Sequence, residues 1–228
     1  FWTNFGAVLK EGIHEDFENR EAVLTLSRFR STASDDLTSL EAYVERMRDG
    51  QEGIYTISGK DLNALRQSPQ LEGFNAHGIE VLLLTDPVDD FWIPNVGSFG
   101  GKPFKSATQG DADFTEIEDK DEAGDKKDGA TDDKKDDALD PLVAALKLPL
   151  GETVKDVRVS KRLTDSPVCL VADAGDMDMN LERILRTHQQ MGTGMATPRI
   201  LEINPDHPLI KHLAGIAEKD AGNPIFAD

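Results

Sequence analysis

Between Asp111 and Asp140 the chain carries 14 acidic and 5 basic residues, and it is almost free of apolar side chains from Ile117 to Leu139. Such a stretch cannot bury enough surface to offset the entropy of ordering it. It reads as a solvated linker over residues 107–138. The linker divides the chain into a block at 1–106 and a block at 139–228, both of ordinary domain size. No chemistry is assigned to the charge run itself.

The first block alternates helix and strand signals. A helix started near His14 continues through Glu21 to Leu26. Thr38-Ser39-Leu40-Glu41 reads as a capping box opening a helix with Leu40, Tyr43, Val44 and Met47 on one face. Strands are expected at 53–58 and 79–84, and short helices at 61–67 and 70–76, with Gly78 as a stop. The second block gives helices at 139–148, 177–190 and 208–217, and strands at 154–159, 168–171 and 199–203. Strand and helix in alternation predict an α/β fold with largely parallel strands, α+β in the second block. The architecture expected is two small αβα-type domains joined by the acidic linker.

Composition narrows the function classes. The net charge of −18 argues against nucleic acid as a partner. No apolar run approaches the ~18 residues of a membrane span, which points away from a membrane. A single cysteine, Cys169, leaves no internal disulfide and fits a reducing, cytoplasmic setting. It lies in a strand-like apolar run and reads as a small buried hydrophobe. The opening residues, with Trp2, Phe5 and Leu9 on one helix face and no initiator Met, read as part of something longer.

Tests for chemistry fail in turn. Asp176, Asp178 and Asn180 match three ligand positions of a calcium loop, but Leu181 stands where the turn Gly should be and Thr187 where the bidentate Glu should be. The same letters serve as a helix cap. His207 and His212 are off the helical metal spacing, and no glycine run has the context of a phosphate cradle. No nucleophile with a base is found, so no catalytic residue, metal or cofactor is expected, and the chain is not expected to be an enzyme.

Surfaces remain. Four of the five methionines fall between Met177 and Met195. Met177, Leu181, Ile184 and Leu185 form one amphipathic stripe, followed by a glycine-rich loop holding Met191 and Met195. The stripe is either a core face, making the chain a structural scaffold, or an adaptable interface. A metal-regulated module is the remaining rival. In Asp86-Pro-Val-Asp-Asp-Phe-Trp92 two successive aromatics cannot both face one core. One of Phe91 and Trp92 is therefore expected at the surface.

The stretches FGAVLKEGIHEDFENRE, SLEAYVERMRDGQEGIYTISG, GIEVLLLTDPVDDFW, GKPF, VKDVRVSKRLTDSP and LEINPDHPLIKHL occur in order from the first residues to about residue 213. In them the chain resembles the ninety-kilodalton heat-shock chaperones of the bacterial HtpG type. The resemblance implies the later middle domain and most of the C-terminal dimerisation domain of a cytoplasmic, dimeric, ATP-driven stress-response chaperone that binds unfolded proteins. It places the ATP and Mg site and the catalytic Arg loop ahead of residue 1, and the last dimerisation helices after Asp228, so the fragment is expected to be monomeric. It implies a client-contacting stripe at Met177, Leu181, Ile184 and Leu185 with the loop of Met191 and Met195. A second client contact is implied at Asp90 and at Phe91 or Trp92.

Overall fold

The computed structural model describes residues 1–110, 114, 132–187 and 197–226. Two short apolar runs organise its first half. Strands β2 (Ile54–Ser58) and β3 (Val81–Leu84) are buried on both faces, which is why they read as nearly unbroken hydrophobic segments. They lie parallel in a five-stranded sheet of order β1-β3-β2-β5-β4. β5 (Lys102–Ser106) also runs parallel to β2, and the two-residue strands β1 (Arg30–Ser31) and β4 (Ser98–Phe99) close the edges antiparallel.

The period of two sorts the side chains. Tyr55, Ile57, Val81 and Leu83 face Leu65, Leu71 and Phe74, from α4 (Leu62–Arg66), α5 (Glu72–Ala76) and the turn before it. Ile54, Leu82 and Leu84 face the opposite layer, formed by α1 (Trp2–Glu15), α2 (Arg20–Leu26), α3 (Leu40–Glu45) and α6 (Asp89–Val96).

A second sheet has the order β6-β8-β7, with β6 (Val154–Val159) parallel to β8 (Arg199–Ile203) and β7 (Val168–Val171) antiparallel to it. Helices α7 (Asp132–Leu150) and α9 (Pro208–Ala217) cover one face through Leu142, Ala145, Val157, Ile203 and Ile210. Helix α8 (Met179–Thr187) stands apart from this core. The α/β character expected from the sequence is present, with mixed rather than largely parallel sheets.

Three local expectations are corrected. The helix through His14 does not continue to Leu26. It breaks after Glu15, where the Asp16 carboxylate accepts from the backbone and side-chain nitrogens of Asn19 at 3.1 and 2.8 Å. The cap of α3 is Ser39, whose hydroxyl accepts from Ala42 N at 3.1 Å. Thr38 is held instead in a β-bridge to Phe29. The segment from residue 107 does not behave as linker at its start. Ala107 N donates to Thr56 O, Ala107 and Thr108 are buried, and Gln109 bridges to Ala172. Phe114 is buried too, its ring stacked on His77 with centroids 4.9 Å apart. The rest of the expected linker, at 111–113 and 115–131, lies outside the described residues, and α7 opens at Asp132.

Charged side chains meeting backbone join the two sheets. Arg162, buried, donates to Ala107 O and Gln109 O at 2.7 and 2.6 Å. Its guanidinium also pairs with buried Glu202 at 3.0 Å. From the other side, the Glu72 carboxylate accepts from the backbone N–H groups of Thr164, Asp165 and Ser166.

Candidate functional site

Two helices carry most of the residues singled out in the sequence, and they meet. Helix α6 begins with Asp89 and Asp90 in its first turn, where carboxylates suit the helix dipole. It ends at Gly97, whose φ of 73° only glycine adopts without strain. As neighbours on a helix with 3.6 residues per turn, the two aromatics point about 100° apart. Trp92 points inward and is fully buried, packed against Phe104 and Phe29 at centroid distances of 5.4 and 6.0 Å. Its indole nitrogen donates to Asp89 Oδ1 at 2.7 Å.

Asp89 is itself buried, and its other oxygen accepts from Lys10 Nζ at 2.8 Å. Lys10, buried on α1, also reaches Asp86 at 2.9 Å and lies over the Phe29 ring at 4.6 Å. A buried ion pair thus fixes the rotation of α6. It leaves Phe91 outside, 37% exposed. The expectation that one ring is exposed resolves to Phe91, and Trp92 is corrected to a core residue.

Asp90 is corrected as well: only 6% of it is exposed. Its Oδ2 accepts from Asn180 Nδ2 at 2.7 Å, so the carboxylate ties α6 to α8 rather than facing solvent. Burial pushes its pKa up to about 6, with the Asp178 and Asp89 charges adding to the rise. Hydrogen bonds from Ser58 and Asn180 oppose it.

Helix α8 starts at Met179, so Met177 precedes the helix and is not on its stripe. The calcium-like letters cap it: Asp178 Oδ1 accepts from Asn180 N at 2.8 Å, and Oδ2 accepts from Ser106 Oγ at 2.6 Å and Thr108 Oγ1 at 3.1 Å. Asp176 pairs with Lys155. Among the described residues no cluster of three or more His, Cys, Asp or Glu is placed to hold a metal.

The residue that α8 buries is Glu182, which pairs with Arg199 and accepts from Thr197 N at 3.0 Å. Its apolar residues do something unusual for an amphipathic helix. Leu181, Ile184 and Leu185 are only half-buried, and none belongs to any of the four apolar clusters of the described residues. Met177 is exposed. The helix is held by polar anchors, and its apolar stripe is left over. Met191 and Met195 lie outside the described residues.

Sequence reasoning missed Lys10 and Glu182, and it read Asn180 as part of a helix cap without its bond to Asp90. A lysine on an apolar helix face with two aspartates far along the chain gives no local signal. Cys169 is buried as expected, its thiol pushed up to about 12 by burial and the nearby Glu202 carboxylate.

A cavity of about 220 Å³ opens between α8 and the carboxyl ends of β2 and β3. Gly59, Lys60, Leu84, Asp86, Asp90 and Arg183 are among the residues lining it.

The Hsp90 protein family profile matches residues 1–228. The chain belongs to the Hsp90 family. Among its relatives, a protein named Chaperone protein HtpG from Roseobacter denitrificans is 53% identical over 221 residues, covering 97% of this chain and 35% of that protein. The protein of the same name from Paramagnetospirillum magneticum is 56% identical over 214 residues, covering 94% and 34%. That from Wolbachia pipientis is 42% identical over 230 residues, covering 100% and 35%. The chain therefore spans about a third of the length of the curated relatives it matches. No helix among the described residues is long and apolar enough to cross a membrane.

Proposed function

We propose that this chain is the part of an ATP-driven, HtpG-type chaperone that holds non-native client proteins. The single observation that carries the reading is the unclaimed stripe of α8, with Phe91 outside on the adjoining α6. Unfolded chains expose apolar patches, and a half-exposed Leu/Ile/Met surface answers them without demanding a sequence. At ~25 cal/mol per Å², a few hundred Å² of such contact gives weak, reversible holding once the cost of association is met. The polar anchors of α8 suit this use, since the helix stays in place without spending its apolar face on the core. In this reading the site comprises Met177, Leu181, Ile184, Leu185 and Phe91. Met191 and Met195 extend it, Asp90 positions α8, and Trp92 supports α6.

The remaining parts of the proposal follow from the family. ATP and Mg belong to the longer protein, as does the homodimer, and the segment in hand performs no covalent chemistry and is monomeric and cytoplasmic. Titrating it with ATP in a calorimeter is expected to give no binding heat; a micromolar affinity would sink this part.

The stripe is tested by replacing Met177, Ile184 and Leu185 with Ser. Each half-exposed position should cost under ~1 kcal/mol in stability, while suppression of client aggregation falls severalfold. Loss of cooperative unfolding in the variants would instead make the stripe a core face and the chain a scaffold.

A further inference from the structure

The cavity beneath α8 occupies a distinctive place in the first sheet. β2 and β3 are parallel neighbours, and the chain leaves them toward opposite faces. After β2 it enters α4, whose Leu65 packs with Tyr55 and Ile57. After β3 it enters α6, whose Trp92 packs with Leu82 and Leu84. The gap between two such strand ends is a topological switch point, the crevice where open α/β sheets bind small ligands. Gly59 and Lys60 follow the end of β2, Leu84 ends β3, and Thr85 to Pro87 follow it. Asn180, Arg183, Ile184 and Thr187 of α8 close the other side.

The lining has a definite chemical bias. Its two carboxylates are already engaged: Asp86 by Lys10, and Asp90 by Asn180 and Ser58. Its two exposed cations are not. Lys60 has no hydrogen-bond or ion-pair partner among the described residues, and Arg183 meets only the side-chain oxygen of Asn180. Leu84, Pro87 and Ile184 supply an apolar wall, and Thr85 and Thr187 supply hydroxyls.

We propose that this crevice binds a small organic oxyanion, a carboxylate or phosphate on a short apolar body, with Lys60 and Arg183 as its counter-charges. A charge-assisted contact to each is the strong kind of hydrogen bond, and the planar Arg183 fork suits either oxyanion. A bound anion would link Lys60, on the loop after β2, to Arg183 on α8. It would thereby fasten α8 to the sheet without touching Phe91. The inference stands on its own whether or not α8 contacts clients, because binding is read directly.

The test is calorimetric titration of this chain, at low ionic strength, with phenyl phosphate, phenylacetate and inorganic phosphate. One of the two aromatic anions is expected to bind with one site at about millimolar affinity or better, and the better of them identifies the oxyanion. Inorganic phosphate, lacking the apolar body, is expected to bind more weakly. Lys60→Met and Arg183→Met should each weaken the aromatic anion about tenfold, a loss of ~1.4 kcal/mol. Lys219→Met, at an exposed lysine beyond α9, should leave it unchanged. Because all three lysine and arginine side chains are exposed, the variants are expected to fold, and their melting temperatures check that. Absence of binding up to about 10 mM, a range that reaches even complexes of millimolar affinity, overturns the proposal. So does equal weakening in all three variants, which would mark a nonspecific charge effect.

Discussion

Lys10→Met is expected to destabilise the protein by about 3–5 kcal/mol, the cost of leaving a buried charge without its partner. Asp89 has no exposed surface through which water could replace the ammonium. Its remaining donor, the Trp92 indole at 2.7 Å, supplies one neutral hydrogen bond. The double variant Lys10→Met/Asp89→Asn removes the charge and keeps an acceptor for that indole, so it should recover most of the loss. Urea unfolding of the wild type, the single and the double variant measures both quantities. Because the ion pair also sets the rotation of α6, the single variant should shift Trp92 emission to longer wavelength, as the ring gains water. A single variant within 1 kcal/mol of wild type, as an exposed pair would give, contradicts the buried pairing.

Asp90→Asn should have the opposite sign near neutral pH. An unfolded aspartate titrates near 3.9, whereas the folded carboxyl of Asp90 titrates at about 6. Below about pH 4 both states are protonated and the group costs nothing. As pH rises toward 6 the unfolded chain gives up its proton first, and the folded state is penalised until it follows. The penalty grows to on the order of 3 kcal/mol above pH 6. Asparagine keeps an oxygen for Asn180 and carries no charge. The stability difference between Asp90→Asn and wild type, from urea unfolding at pH 4 and pH 7.5, should therefore move in the variant's favour by an amount of that order. An unchanged difference would mean that Asp90 is solvated as an ordinary surface carboxylate.

The legible parts of the fold were those whose signal is local. β2 and β3 showed as apolar runs because both of their faces are buried, and α9 showed because Pro208 opens it and its apolar residues repeat at helical spacing. β5 was illegible: Lys102, Pro103 and Lys105 give no alternation, and it exists because β2 offers it a partner. The same holds for the site. The stripe could be read from Leu181, Ile184 and Leu185, and the need for one outward aromatic from Phe91 and Trp92. Which ring turns out is decided by Lys10, about eighty residues away in sequence, and that pairing exists only in three dimensions. Asp90 looked like a surface acid until Asn180 closed on it.

The seam between the sheets has an evolutionary consequence. Arg162 reads the carbonyls of Ala107 and Gln109, and Glu72 reads the amides of residues 164–166. Every non-proline residue offers the same carbonyl and the same amide. The facing segments can therefore drift in sequence while the contact persists, provided that proline stays out of positions 164–166 and the two charged readers are kept. At these contacts only Glu72 and Arg162 are bound to their identities, whereas the side-chain pairs Asp90–Asn180 and Ser106–Asp178 constrain both partners.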